Sequence, residues 1–130
     1  TRTRSTARYA LLAGEPLGKP GDHARATAQL QRMRGQTLVF QTAVAVVCQA
    51  TRFAQRELAA VRVVFRNYSD AAIESYLRAE QPYDCAGSAK SEGLGIALLD
   101  AIDSDDPTAL VGLPLIRTAN MLRAAGVDLL

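Results

Sequence analysis

The chain has 130 residues, 48% apolar and 22% charged, with a net charge of +2, values of one globular domain able to bury about two-thirds of its unfolded surface. Its basic residues are scattered, which argues against a nucleic-acid surface. With no apolar run of the ~18 residues a membrane span needs and a polar start without a secretory signal, no membrane role is expected and a cytoplasmic location is.

Two cysteines do not make a disulfide framework, which fits a reducing compartment. Cys48 ends an apolar run and reads as a small buried hydrophobe, whereas Cys85 lies in a glycine-rich loop where a reactive thiol is the alternative. With the only histidine at His23, a Cys/His nucleophile pair is not expected.

Thr1 to Tyr9 holds three arginines and no carboxylate, shows no apolar periodicity, and reads as an atypical lead with a frayed end. Ala10 to Pro20 reads as a strand end, a turn at Gly14 and a short extended piece, with Pro16 and Pro20 stopping the pairing. Lys19 follows Gly18 and precedes Pro20, so its backbone is held extended and its charge projects from a stiff base. Asp22 caps a predicted helix to about Arg34, with Ala26, Leu30 and Met33 inward and Gly35 as the stop. His23, in its first turn, is expected to be exposed and not metal-binding.

Gln36 to Ala50 carries the strongest strand signal, with Leu38, Phe40, Thr42, Val44, Val46 and Cys48 on one face. Val39, Ala43, Ala45 and Val47 make the other face apolar as well, which predicts a central strand of a covered sheet. After a polar connection over 51–57, Leu58 to Asn67 returns as a second strand with Val61, Val63 and Phe65 on one side. Ser69 caps a further helix to about Glu80, with Ile73, Tyr76 and Leu77 inward, and Pro82 ends it.

The segment 82–95, Pro-Tyr-Asp-Cys-Ala-Gly-Ser-Ala-Lys-Ser-Glu-Gly-Leu-Gly, is the focus of the chain. Its glycines allow positive φ and close approach of a ligand. If the segment is extended, Ser88, Lys90 and Glu92 share one side, offering a hydroxyl, a cation for phosphate and a carboxylate for a donor edge. The alternative is an ordinary glycine-rich turn. Leu94 to Ile102 reads as a third strand. Asp103, Asp105 and Asp106 suit either a Mg²⁺ or Ca²⁺ site or, preferably, an acidic turn capping the next segment of the chain. Pro114 opens a last helix with Leu115, Ala119 and Leu122 inward and Gly126 closing it. The reading is a single mixed α/β (α+β) domain over 1–130.

Gly18-Lys19-Pro20, Gly35, Thr42, the segment from Asp84 to Gly95 and Leu110 to Leu115 together resemble the Maf family of nucleoside triphosphate pyrophosphatases, from about Ala10 to Leu130. The Ser-x-Lys-Ser-Glu-Gly form of the loop resembles the branch acting on 7-methyl-GTP. The resemblance implies an inosine-triphosphatase-like fold, a mixed twisted sheet with long antiparallel strands flanked by helices. It also implies metal-assisted attack of water on the α-phosphorus, with Mg²⁺ or Mn²⁺, releasing a monophosphate and pyrophosphate. Lys19 matches the family's phosphate lysine and Glu92 its base-selecting position; Lys90 would add a phosphate contact. A carboxylate there suits the guanine N1 and N2 donors and the cationic ring of an N7-methylated base. A septum-formation role accompanies the family rather than any residue here.

The family's Ser/Arg-rich loop has no counterpart, and Ala7 and Arg8 stand where its proton-accepting aspartate and following glutamine are expected. No catalytic residue is therefore identified, and the metal ligands are unknown. Alanine cannot take a proton, so the chain is expected to be the C-terminal two-thirds of such an enzyme. Two alternatives remain: a non-catalytic remnant binding nucleotide or a partner, and a homodimer formed through an exposed sheet edge.

Overall fold

A computed structural model describes residues 2–12, 15–88 and 90–130, and side chains from Leu17 onward except Ala86. Five strands, β1 (Arg2–Leu12), β2 (Glu15–Leu17), β3 (Thr37–Cys48), β4 (Phe53–Phe65) and β5 (Leu99–Asp103), form one sheet in the order β2-β1-β3-β4-β5. All four pairings are antiparallel. The helices are α1 (His23–Met33), α2 (Asp70–Glu80) and α3 (Leu115–Ala124). This is the mixed α/β fold, with long antiparallel strands flanked by helices, that the sequence predicts.

The alternation of β3 decides the layering. Leu38, Phe40, Thr42, Val44 and Val46 are buried, and their neighbours on β4, Ala59, Val61, Val63 and Phe65, share that face. α1 lays Ala26, Leu30 and Met33 on one end of it, and α2 adds Ile73, Tyr76 and Leu77. α3 covers the other end, with Met121 against Val44 and Val46. The opposite face is less covered than a strand apolar on both sides predicts. Val39, Gln41, Ala43 and Ala45 are half-buried there, while Val47 and Leu58 are exposed.

Several expectations are corrected. Arg2 to Tyr9 is not a frayed lead but most of β1, paired with β3 along its length, with a register shift between Ser5 and Ala7. Threonine and tyrosine favour extended backbone, and a long partner strand supplies what local periodicity lacks. Pro16 does not stop the pairing: it lies in β2 opposite Leu11, on an edge strand where a missing N–H is tolerated. The turn expected at Gly14 lies outside the described residues.

Phe53 to Glu57 belongs to β4 rather than to a connection. Leu94 to Leu98 forms a short 3-10 helix, and only then does β5 begin. In α3 the buried residues are Thr118 and Met121, not Leu115, which is 55% exposed. The Thr118 hydroxyl donates to the Pro114 carbonyl at 2.7 Å, so a polar residue faces inward with its hydrogen bond made.

Asp106 acts as the cap that the acidic turn predicts. Its buried carboxylate accepts from Thr108 Oγ1 (2.7 Å), the Arg117 N–H (2.8 Å) and the Ile116 N–H (3.3 Å). The Leu115 N–H donates to Thr108 Oγ1 at 2.7 Å. Three N–H groups of the first turn of α3, which Pro114 has no side-chain acceptor to cap, are thereby satisfied.

Candidate functional site

The Gly18-Lys19-Pro20 segment and the focal loop are joined by hydrogen bonds. The Gly21 N–H donates to the Tyr83 carbonyl at 2.8 Å, and the Gly87 N–H donates to the Gly18 carbonyl at 3.4 Å. Gln29, from the middle of α1, bridges the same two segments. Its Nε2 donates to the Gly18 carbonyl at 2.8 Å, and its Oε1 accepts from Ser88 Oγ at 2.7 Å. Lys19 is exposed while Pro20 beside it is buried. A lysine ammonium on this anchored backbone is a cation with a fixed base and a mobile tip.

The loop is not extended, so Ser88, Lys90 and Glu92 do not share one side. It coils through a 3-10 turn at Ala86–Ser88, a turn at 91–93, and the 3-10 helix of Leu94–Leu98. Ser88, at φ +60°, is fully buried and serves the Gln29 bridge rather than a ligand. Lys90 is half-exposed, its Nζ 3.8 Å from Glu80 Oε2, and Glu92 is exposed. Two of the three retain access to a ligand.

The glycines divide the work. Gly87 takes a positive φ of 72°, which few other residues adopt. Gly93 and Gly95 provide room instead. A Cβ at Gly95 would lie 2.5 Å from the Lys90 carbonyl oxygen, and one at Gly93 would lie 2.1 Å from Glu80 Oε1. That Glu80 oxygen accepts the Leu94 N–H at 2.7 Å. The close approach expected of a ligand is here made by the protein's own backbone and carboxylate.

Tyr76 supports the loop from below. Its hydroxyl donates to the Ser88 carbonyl at 2.7 Å and accepts the Lys90 N–H at 3.0 Å. Burial pushes its ionisation well above the ordinary tyrosine range, so it stays a neutral hydroxyl. Burial, and then the Asp84 carboxylate, push the Cys85 thiol up, which disfavours the thiolate a reactive cysteine needs.

His23 is half-buried, a correction to its expected exposure: Nε2 lies 2.8 Å from Glu74 Oε2 and Nδ1 lies 3.0 Å from the Tyr83 hydroxyl. Ala7 falls on β1 opposite Ala43, and Arg8 opposite Thr42. Among the described residues no group of three His, Cys, Asp or Glu side chains forms a metal centre. The described residues by themselves supply no ligand set for a divalent ion.

Sequence reasoning missed Gln29, Tyr76 and Glu80. Tyr76 shows only as an inward residue of α2, and Gln29 and Glu80 look like solvated helix positions. Their hydrogen-bond partners lie 11 to 59 residues away, so no local spacing marks them.

A polar loop locked to a glycine-lysine-proline segment, on an antiparallel sheet backed by helices, defines a class. The chain belongs to the Maf-like protein family, whose match covers residues 6–125. It is 75% identical over 118 residues to a 7-methyl-GTP pyrophosphatase of Polaromonas sp., an alignment covering 91% of this chain and 54% of that protein. It is 72% identical over 119 residues to one of Albidiferax ferrireducens, covering 92% and 60% respectively. A third, from Thiobacillus denitrificans, is 53% identical over 120 residues, again covering 92% and 60%. The chain thus spans little more than half the length of these curated relatives. No helix among the described residues is long and apolar enough to cross a membrane.

Proposed function

We propose that this chain carries the base and phosphate contacts of a nucleoside triphosphate pyrophosphatase. The substrate is 7-methyl-GTP or a related nucleotide, and the products are the monophosphate and pyrophosphate. The observation that carries the reading is the union of the Lys19 segment with the loop bearing Lys90 and Glu92, through the Gly18 carbonyl. Two cations and an exposed carboxylate carried on joined segments match a ligand that is anionic at its phosphates and cationic at a methylated base. The names of the relatives add weight.

Lys19 and Lys90 take phosphate oxygens in this reading, and Glu92 accepts from the base edge. Mg²⁺ or Mn²⁺ belongs in the assay because the family resemblance implies a divalent ion. The activity is assigned to the cytoplasm, and no nucleic-acid partner is assigned. Pyrophosphate release from 7-methyl-GTP, measured beside GTP, is expected to fall at least tenfold in Glu92→Gln, since hydrogen bonds to charged groups contribute about 1.5–3 kcal/mol. Equal release by the two proteins would remove Glu92 from the site.

A second reading rests on Ala7: the chain binds nucleotide without hydrolysing it, its position at the expected proton acceptor being filled by a methyl group. Binding of 7-methyl-GTP without pyrophosphate release, by a folded chain, selects this reading. Self-association is assigned to the outer edge of β1, where β2 pairs only with Ala10–Leu12. A monomer by light scattering at high concentration would exclude it.

A further inference from the structure

Gln29 is the only described side chain bonded to both the Lys19 segment and the focal loop. Its amide is used at both ends, and the chemistry fixes its orientation. A carbonyl oxygen such as that of Gly18 can only accept, so the nitrogen must face it, 2.8 Å away. The amide oxygen then takes the Ser88 hydroxyl proton at 2.7 Å. The Gly87 N–H shares the same Gly18 carbonyl. Both anchors flank residues assigned to substrate: Gly18 precedes Lys19, and Ser88 lies two residues before Lys90.

We propose that Gln29 is a positioning residue for nucleotide binding, setting the span between the phosphate lysine and the base carboxylate. The inference rests on the nucleotide reading above and adds a residue that touches no part of the ligand. A helix is a rigid ruler, and an amide locked at both ends transmits its position to two loops at once. Loss of the bridge leaves each loop able to meet its own part of the ligand but lets their separation vary. A ligand that spans both loops then binds more weakly, while a fragment meeting one loop does not.

The test titrates the 130-residue chain and its Gln29→Met variant, checked for folding by circular dichroism, with three probes: 7-methyl-GTP, inorganic tripolyphosphate and 7-methylguanosine. Methionine keeps the length of the side chain and removes both hydrogen bonds. The expected result is about a tenfold loss for 7-methyl-GTP and a loss for tripolyphosphate, which meets Lys19 and Lys90 across both loops, on the scale of one or two neutral hydrogen bonds, while 7-methylguanosine, which meets Glu92 alone, binds as it does to the unaltered chain. Ser88→Ala, which cuts the bridge at its far end, gives the same pattern. Unchanged affinity for 7-methyl-GTP in both variants overturns the proposal, as does an equal loss for the nucleotide and 7-methylguanosine. An unaltered chain that binds none of the probes refutes the nucleotide reading itself, and the inference with it. The two failures are told apart by that first titration.

Discussion

Tyr76 holds Lys90 by its backbone: the Lys90 N–H donates to the Tyr76 hydroxyl at 3.0 Å, while that hydroxyl donates to the Ser88 carbonyl at 2.7 Å. One side chain of α2 therefore fixes the loop on both sides of its central residue. Tyr76→Phe keeps the packing and leaves a donor and an acceptor unpartnered, at a cost of about 1–3 kcal/mol. Urea unfolding should show that loss, and hydrogen exchange at the Lys90 amide should quicken more than at the α1 amides.

Gly95 lies against the Lys90 backbone, with its own N–H donating to the Lys90 carbonyl at 3.1 Å. Gly95→Ala would set a methyl 2.5 Å from that carbonyl oxygen. Backbone cannot yield as a side-chain tip can, so a destabilisation of about 1–3 kcal/mol is expected. Gly18→Ala meets nothing within 4 Å and should change the melting temperature little. Paired thermal melts check the contrast.

Asp106 is fully buried and caps α3 through two backbone N–H groups. Asp106→Ala should cost about 3 kcal/mol, combining a lost cap with donors left unsatisfied. Asp105→Ala removes only an exposed partner of Arg117 and should cost less than about 1 kcal/mol. Urea midpoints of the two variants give the comparison.

Glu74 links His23 of α1 to Arg78 of its own helix. Its carboxyl is held below the ordinary glutamate range, first by the Arg78 hydrogen bond and then by that of His23. The folded value is the depressed one, so the contribution is present above the unfolded value and is lost as pH falls through the folded one. Glu74→Gln should flatten the acid limb of stability, measured as the difference in urea midpoint between neutral pH and about pH 3.5. An unchanged acid limb would refute the link.

Where neighbours in sequence make the structure, the sequence was legible. Asp22 and Ser69 announce their helices because each caps a residue three positions on, Arg25 and Ala72, and β3 shows its buried face by alternation. The errors arise where distant partners decide. β1 is a strand because β3 pairs with it. Leu94 to Leu98 looks like a strand by its apolar residues, yet Glu80 and the Lys90 backbone coil it through Gly93 and Gly95. The proposed contacts of Lys19, Lys90 and Glu92 rest on their motifs, whereas the bridge of Gln29 and the support of Tyr76 exist only once helices and loop have met.

Whether one nucleotide spans Lys19 and Glu92 is read out by a calorimetric titration. 7-Methyl-GTP and GTP would be titrated into the unaltered chain, Lys19→Ala and Glu92→Gln. Tighter binding of the methylated nucleotide is expected, with a loss for both nucleotides in Lys19→Ala and loss of the preference in Glu92→Gln. A preference for 7-methyl-GTP that survives Glu92→Gln, or no loss in Lys19→Ala, would show that no nucleotide spans the two residues.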